Sequence, residues 1–177
     1  MYTYCLFCQT QRCKTIAQLL EIKGVDRAFS PQIIRRFRKK GVNVDLECDL
    51  LPGYVFLYHE EAITDPRFFY GIDGIIRQVG SVEETWQLKG SDLEFATRLL
   101  EKNGRVGTQR VFLEGETVIL TDPLFLGCQG HVTKLDIRKQ RARVDFVFNG
   151  TDCHTWIAFE CDEETDKEKK EETIEEA

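Results

Sequence analysis

Seven cysteines and three histidines are the residues of this 177-residue chain whose types could support metal binding or nucleophilic chemistry. Cys5-x-x-Cys8 has the spacing of a zinc-ligand pair. It lies, however, in the strand-like run Tyr4-Cys5-Leu6-Phe7-Cys8, where alternation sends positions 5 and 8 to opposite faces. Cys13, Cys48, Cys128, Cys153 and Cys161 are scattered without a second Cys-x-x-Cys pair, and an odd count argues against a disulfide framework. Reduced structural thiols are the expectation. Cys153-His154 and Cys128 with His131 are the candidates for a nucleophile and its base. Adjacent strand residues diverge, so Cys153 and His154 form no dyad with each other. No acid–base constellation or phosphate loop accompanies them. The expectation is a protein without catalytic residues, metal or cofactor.

What remains is charge and aromatic surface. Arg35-Arg36-Phe37-Arg38-Lys39-Lys40 is the densest positive run, and Phe37 within it could stack on a base while the cations meet phosphates. The formal net charge of −6 does not oppose this. Residues 1–160 balance 21 basic against 21 acidic side chains, and residues 161–177 supply the whole excess with nine acids and three lysines. That tail has almost no apolar residues and is expected to be disordered. The segment Leu50-Leu51-Pro52-Gly53-Tyr54-Val55-Phe56-Leu57-Tyr58 reads as an apolar strand entered through a Pro-Gly corner. Tyr54 and Tyr58 are costly to bury unless their hydroxyls find partners. Part of this face is therefore expected at the surface, as a docking site beside a nucleic-acid path. No run of about 18 apolar residues is present, and the opening Met1-Tyr2-Thr3-Tyr4-Cys5 lacks the marks of a signal peptide. A cytoplasmic protein with no membrane partner is expected.

The elements that must position these groups follow from periodicity. Residues 4–8 form a strand, and residues 11–23 a helix burying Cys13, Ile16, Ala17 and Leu20, stopped by Gly24. Residues 28–34 and 42–46 read as hairpin arms flanking the basic run, and residues 51–58 as the central strand. Asp65-Pro66 starts a short helix, and residues 74–79 form a further strand. Ser91-Asp92-Leu93-Glu94 reads as a capping box, with Leu93, Ala96, Thr97 and Leu100 as the buried stripe of a helix ended by Asn103-Gly104. Residues 104–110 look like a linker. Beyond it come short strands at 117–121, 131–136, 141–148 and 153–159, with Asn149-Gly150 as a hairpin turn. So many short strands in so few residues call for closure into a small barrel.

Glu114-Gly115-Glu116-Thr117-Val118-Ile119-Leu120-Thr121, followed by Phe125-x-Gly127-x-x-Gly130-x-Val132, resembles the KOW motif of NusG-type transcription factors. With the Leu-Pro-Gly-Tyr-Val-Phe strand upstream and an aromatic first strand, residues 2–160 resemble a NusG amino-terminal (NGN) domain linked to a KOW barrel. The resemblance implies an α+β chain. An NGN domain at 1–104, with an antiparallel-rich sheet and flanking helices, leads through a linker at 105–110 to a small all-β, SH3-like KOW barrel at 111–160. A disordered acidic tail follows at 161–177. It also implies a non-enzymatic, monomeric elongation or antitermination factor that docks on the clamp helices of bacterial RNA polymerase and suppresses pausing or termination.

Carried over, the polymerase-binding patch comprises Tyr4, Leu51, Pro52, Gly53, Tyr54 and Phe56, with Thr64 in the loop that meets the far side of the cleft. Arg12 and Lys14 open the first helix, where the family approaches upstream non-template DNA. Arg35, Arg36, Arg38, Lys39 and Lys40 are hairpin contacts to DNA or a nascent RNA hairpin. Arg138, Lys139, Arg141 and Arg143 form a basic patch on the barrel suited to RNA phosphates. Asn149 stands where general NusG proteins present an apolar side chain to Rho or the ribosome, and Asp122-Pro123 replaces Gly-Pro. These departures resemble the specialised antiterminators of the LoaP and RfaH subgroups. The β-branched and aromatic content of residues 141–148 predicts a constitutive barrel rather than a helical alternative. The other reading is a KOW-type structural protein that binds the ribosome or RNA.

Overall fold

Alternating apolar residues in β1 (Tyr2–Cys8) and β5 (Tyr54–His59) build the centre of the first sheet in this computed structural model. The structure describes residues 1–114, 117–120, 122–126 and 130–161. The two strands pair antiparallel, with Tyr4 opposite Leu57, Cys5 opposite Phe56 and Phe7 opposite Tyr54. β2 (Arg27–Phe29) and β6 (Ile75–Gln78) complete the sheet in the order β2-β5-β1-β6. One face carries Tyr4, Leu6, Cys8, Val55 and Leu57 and is covered by α1 (Cys13–Ile22), which buries Cys13, Ile16, Ala17 and Leu20 as its periodicity predicts. Gly24, at φ +106°, stops that helix by bonding back to Glu21.

The opposite face carries Cys5, Phe7, Tyr54, Phe56 and Tyr58, and α2 (Gly90–Glu101) packs over it. The Tyr58 hydroxyl, fully buried, donates to the Ala96 carbonyl at 2.6 Å, which satisfies the group that made its burial costly. A separate three-stranded sheet has the order β4-β3-β7, from β3 (Gln32–Lys39), β4 (Val42–Asp49) and β7 (Arg105–Val106). The second half forms a five-stranded sheet in the order β10-β11-β12-β8-β9, made by β8 (Gln109–Glu114), β9 (Thr117–Leu120), β10 (His131–Asp136), β11 (Arg141–Phe148) and β12 (Thr151–Cys161). Its end strands β9 and β10 approach each other, and the short helix α3 (Pro123–Leu126) lies between them in sequence. The chain is mixed α+β, with far more of the described residues in strands than in helices.

Several elements differ from the sequence reading, each for a local reason. The basic run does not lie between hairpin arms: it is the body of β3, and the turn is Lys40-Gly41, both at positive φ. Residues 27–29 leave that hairpin to pair with β5. The capping box is not formed, because α2 begins two residues earlier behind Lys89, which puts Ser91 inside the helix. Of the expected stripe Leu93, Ala96, Thr97 and Leu100, Ala96 is buried, Leu93 and Leu100 are half-buried against the core and Thr97 is exposed, while Phe95 and Leu99 are buried in addition. The expected linker is largely structured: Val106 is buried and pairs β7 parallel to β3, and β8 starts at Gln109. The tail at 162–177, and Gly115, Glu116, Thr121, Gly127 and Cys128 of the second half, lie outside the described residues.

Gly53 shows why the corner before β5 needs glycine. Its φ is +88°, its carbonyl accepts from the Cys8 amide at 2.7 Å, and an added Cβ would lie 2.9 Å from the Phe7 ring and 3.1 Å from the Cys8 carbonyl. Gly53→Ala is expected to destabilise the fold by about 1–3 kcal/mol, read as a lowered urea midpoint. An unchanged midpoint would show that the corner relaxes freely.

Candidate functional site

Tyr54 and Phe56 project from β5 away from α1, Phe56 fully buried and Tyr54 half-buried. The Phe148 ring of β11 stands 5.6 Å from Tyr54, edge-on, and 5.4 Å from Phe56, centroid to centroid. Phe95 of α2 completes the cluster, 5.6 Å from Phe148 and stacked 5.7 Å from Phe146. Phe7 flanks Tyr54 at 5.1 Å. Buried residues of both halves thus belong to one hydrophobic core that runs from Cys5 and Phe56 through Phe95 to Phe146, Phe148 and Phe159. The alternation that puts Ala142, Val144, Phe146 and Phe148 on one face of β11 is as expected. What lies against that face includes the first half of the chain.

Polar contacts fix the register of the two halves. Arg36, nearly buried, makes a two-pronged ion pair with Asp45 at 2.6 and 2.7 Å and reaches across to the Gln140 side chain (3.0 Å) and the Phe159 carbonyl (3.1 Å). Arg35 donates to the Thr155 hydroxyl at 3.1 Å, and Arg38 to the Arg138 carbonyl at 3.3 Å. The Asp92 carboxylate accepts from the Asn149 amide at the hairpin tip (3.0 Å), and Lys102 pairs with Asp122 at 2.8 Å. Fully burying one Phe side chain is worth roughly 1.5–3 kcal/mol, whereas an exposed ion pair contributes about 0–1 kcal/mol. The aromatic seam supplies the cohesion and the polar contacts select the alignment.

The expected patch residues therefore divide. Leu51, Gly53, Tyr54 and Phe56 come together on or beside the covered face, with Pro52 exposed at the corner. Tyr4 does not join them. It points to the α1 side, where its hydroxyl accepts from the Ile63 amide at 2.9 Å and holds the loop that presents exposed Thr64. Phe7, Phe95 and Phe148 belong to the site and were read only as strand, helix or barrel residues. Their role depends on a contact between halves that no local pattern reports.

The cations divide as well. Arg35 and Arg36 are engaged inside the protein, so the expectation that the whole run 35–40 faces nucleic acid is corrected for these two. Lys39 and Lys40 stand exposed at the tip. On the outer face of the second sheet, Arg141 pairs with Asp136 (3.3 Å) and lies 4.5 Å over the Trp156 ring, and Arg143 pairs with Asp145 (2.8 Å). The patch is thus largely neutralised by its own carboxylates, Lys139 also facing Asp136 at 3.5 Å. Arg138 is left exposed. Arg12 is half-buried near Gly74, and Lys14 is exposed on α1.

The thiols behave as core groups. Cys5 and Cys8 fall on opposite faces of β1, and burial pushes the Cys5 thiol well up and the Cys8 thiol to about 12. Cys153 faces the core and is likewise raised by burial, while His154 lies opposite Asp145 on the outer face. Among the described residues, no three His, Cys, Asp or Glu side chains converge as metal ligands.

A solved structure describing domain interaction in Thermotoga maritima NusG matches this arrangement, with a TM-score of 0.53 at 15% sequence identity, over 89% of this chain and 93% of that one. The fold is NusG-like. A match of that extent spans both halves. No family profile matches the sequence, and no curated protein matches it. No described helix is long and apolar enough to cross a membrane.

Asp45 offers a pH test of the seam. The hydrogen bonds from Arg36 hold its carboxyl below the ordinary carboxylate value. A lowered folded value gives stability that is complete above the unfolded value of about 4 and is lost as pH falls through the folded one. Arg36→Ala is expected to lower the thermal midpoint at pH 7 and to flatten its decline between about pH 4 and pH 2. An identical pH profile in wild type and variant would show that the pair contributes nothing.

Proposed function

We propose that this protein is a NusG-type transcription elongation factor. In this reading residues 1–104 serve as the NGN domain and the second half as the KOW barrel. The chain docks on the clamp helices of RNA polymerase through the β5 face, and it suppresses pausing or termination by binding alone. The observation that carries the proposal is the NusG likeness extending over both halves of the chain. The β5 face adds physical support. Tyr54, Phe56 and Leu51 form a rigid aromatic and aliphatic cluster on a strand, the type of anchor that concentrates binding energy at small entropic cost.

In the arrangement described here that anchor is occupied by Phe148. Polymerase must therefore displace β11 before it can bind Tyr54, and the apparent affinity is reduced by the fraction of open molecules. The Asn149 hairpin tip, held by Asp92, is equally unavailable to a Rho or ribosomal partner until the halves part. The departures at Asn149 and Asp122-Pro123 support the specialised antiterminator reading over that of a general factor. Of the cations, Lys14, Lys39, Lys40 and Arg138 are the candidates to contact upstream DNA or nascent RNA.

In vitro transcription with a cognate polymerase, on a template bearing a pause or terminator, tests this with two variants of opposite sign. Tyr54→Ala removes an anchor and is expected to weaken polymerase binding by about 2 kcal/mol or more, roughly 30-fold. Phe148→Ala uncovers the same anchor and is expected to act at lower concentration than wild type. No effect of wild type and Phe148→Ala alike on pausing or termination would overturn the proposal. Recovery of the ribosome but not polymerase in a pull-down would replace it with the RNA-binding reading.

A further inference from the structure

The outer face of the second sheet carries a cavity of about 430 Å³ beside the turned end of the β11–β12 hairpin. Its lining includes His131, Arg143, Asp145, Val147, Asp152 and His154. Their convergence follows from register. Asp145 of the central strand β11 stands opposite His131 of β10 and His154 of β12, and Val147 stands opposite Asp152. Alternation sends these residues outward while Val144, Phe146 and Phe148 turn to the core. The volume lies within the range of small-ligand sites.

The polar groups of the cavity are not all engaged. Arg143 donates to the Asp145 carboxylate at 2.8 Å. Asp152 is exposed, and among the described residues it has no ion-pair or hydrogen-bond partner. With the histidines neutral, one arginine faces two aspartates, so a phosphate gains nothing by entering. The cavity offers instead a carboxylate with both oxygens open as acceptors, two imidazoles and an apolar wall at Val147. A planar group with two adjacent N–H donors satisfies that set. Among the nucleobases guanine presents it, through N1–H and the 2-amino group, and meets a carboxylate by two parallel hydrogen bonds as a guanidinium does. Adenine and cytosine place an acceptor beside their amino group, and uracil flanks its one N–H with carbonyls.

An arginine side chain carries the same paired donors, and the next row of the face separates the two ligands. Lys134 stands opposite Arg143, Arg143 stands opposite Trp156, and the Arg141 guanidinium lies 4.5 Å over the Trp156 ring. Lys134 is exposed and has no carboxylate partner among the described residues. A free cation and a stacked guanidinium–indole pair suit the phosphate and base of an adjoining nucleotide. A cationic peptide meets Lys134 and Arg141 as like charges.

We propose that this cavity holds an unpaired guanine of a single-stranded nucleic acid, with Asp152 reading its Watson–Crick edge and Lys134 meeting the adjoining phosphate. The site supplies base selection, which the cations named above do not, because phosphate contacts carry no sequence information. Binding at this site does not rest on the polymerase reading.

The test uses the full chain and no polymerase, so its failure leaves the transcription proposal standing. The oligonucleotides UUGUU and UUAUU and their DNA counterparts are titrated at low salt, with binding read from amide chemical shifts. The guanine oligonucleotide is expected to bind roughly tenfold more tightly than the adenine one, with shifts at residues 131, 143, 145 and 152–154. The tighter of the RNA and DNA series identifies the strand. Asp152→Asn turns one acceptor into a donor and is expected to abolish the preference. Lys134→Ala is expected to weaken both oligonucleotides about equally. Both side chains are exposed, so neither substitution endangers folding. Guanosine monophosphate is expected to bind more weakly than the oligonucleotide, and equal affinity would reassign the site to the free nucleotide. Equal affinity for the guanine and adenine oligonucleotides, a preference that survives Asp152→Asn, or tighter binding of an arginine peptide of the same length would each overturn the inference.

Discussion

The insertion of the Phe148 ring among Tyr54, Phe56 and Phe95 is the contact on which the rest of the structure depends. It makes one core of two halves that could each have closed on itself. It covers the end of the β5 face that α2 leaves open, and it packs on Phe95 of α2. It also fixes the state of the candidate docking face. A surface built from rigid aromatics is adhesive toward any apolar partner, and an uncovered patch of this kind invites non-specific association. Intramolecular cover by β11 avoids that while keeping the anchor intact beneath it.

Aromatic packing is non-directional enough that it does not choose one alignment of the halves. The polar groups around the seam do. Arg36 is the clearest case: its ion pair with Asp45 orients the guanidinium, and its remaining donors then reach the Gln140 side chain and the Phe159 carbonyl. Asp92 fixes the other end through the Asn149 amide. Such contacts are individually modest. They are also exposed at their margins, which leaves the closed arrangement sensitive to salt, pH and competing partners.

The elements that depend on local pattern were legible in the sequence. α1 with its four buried residues, the alternation of β11, the Pro-Gly corner at Gly53 and the Asn149-Gly150 turn follow from periodicity and turn chemistry alone. Cys5 and Cys8 diverge as strand alternation requires. What was not legible depends on contacts between segments apart in sequence, the decisive ones between halves. Asp92 is an ordinary first-turn acid of α2 until the Asn149 amide is brought to it, and Arg36 is an ordinary member of a basic run until Phe159 lies beside it. Tyr4 looked like a companion of Tyr54, yet strand alternation and register put the two on opposite faces. The pairing of Arg141 required knowing that the β10–β11 connection brings Asp136 beside it, whereas that of Arg143 with Asp145 follows from their shared face of β11.

The central claim is that the anchor face is covered in the free chain and is uncovered when polymerase binds. A single 4-fluorophenylalanine at position 148 reports it directly by fluorine NMR. The account predicts one buried, solvent-shielded resonance in the free protein, which moves to a solvent-accessible position when the protein is held in a complex with polymerase. A solvent-accessible resonance in the free protein, or a shielded one that persists in the complex, would contradict it.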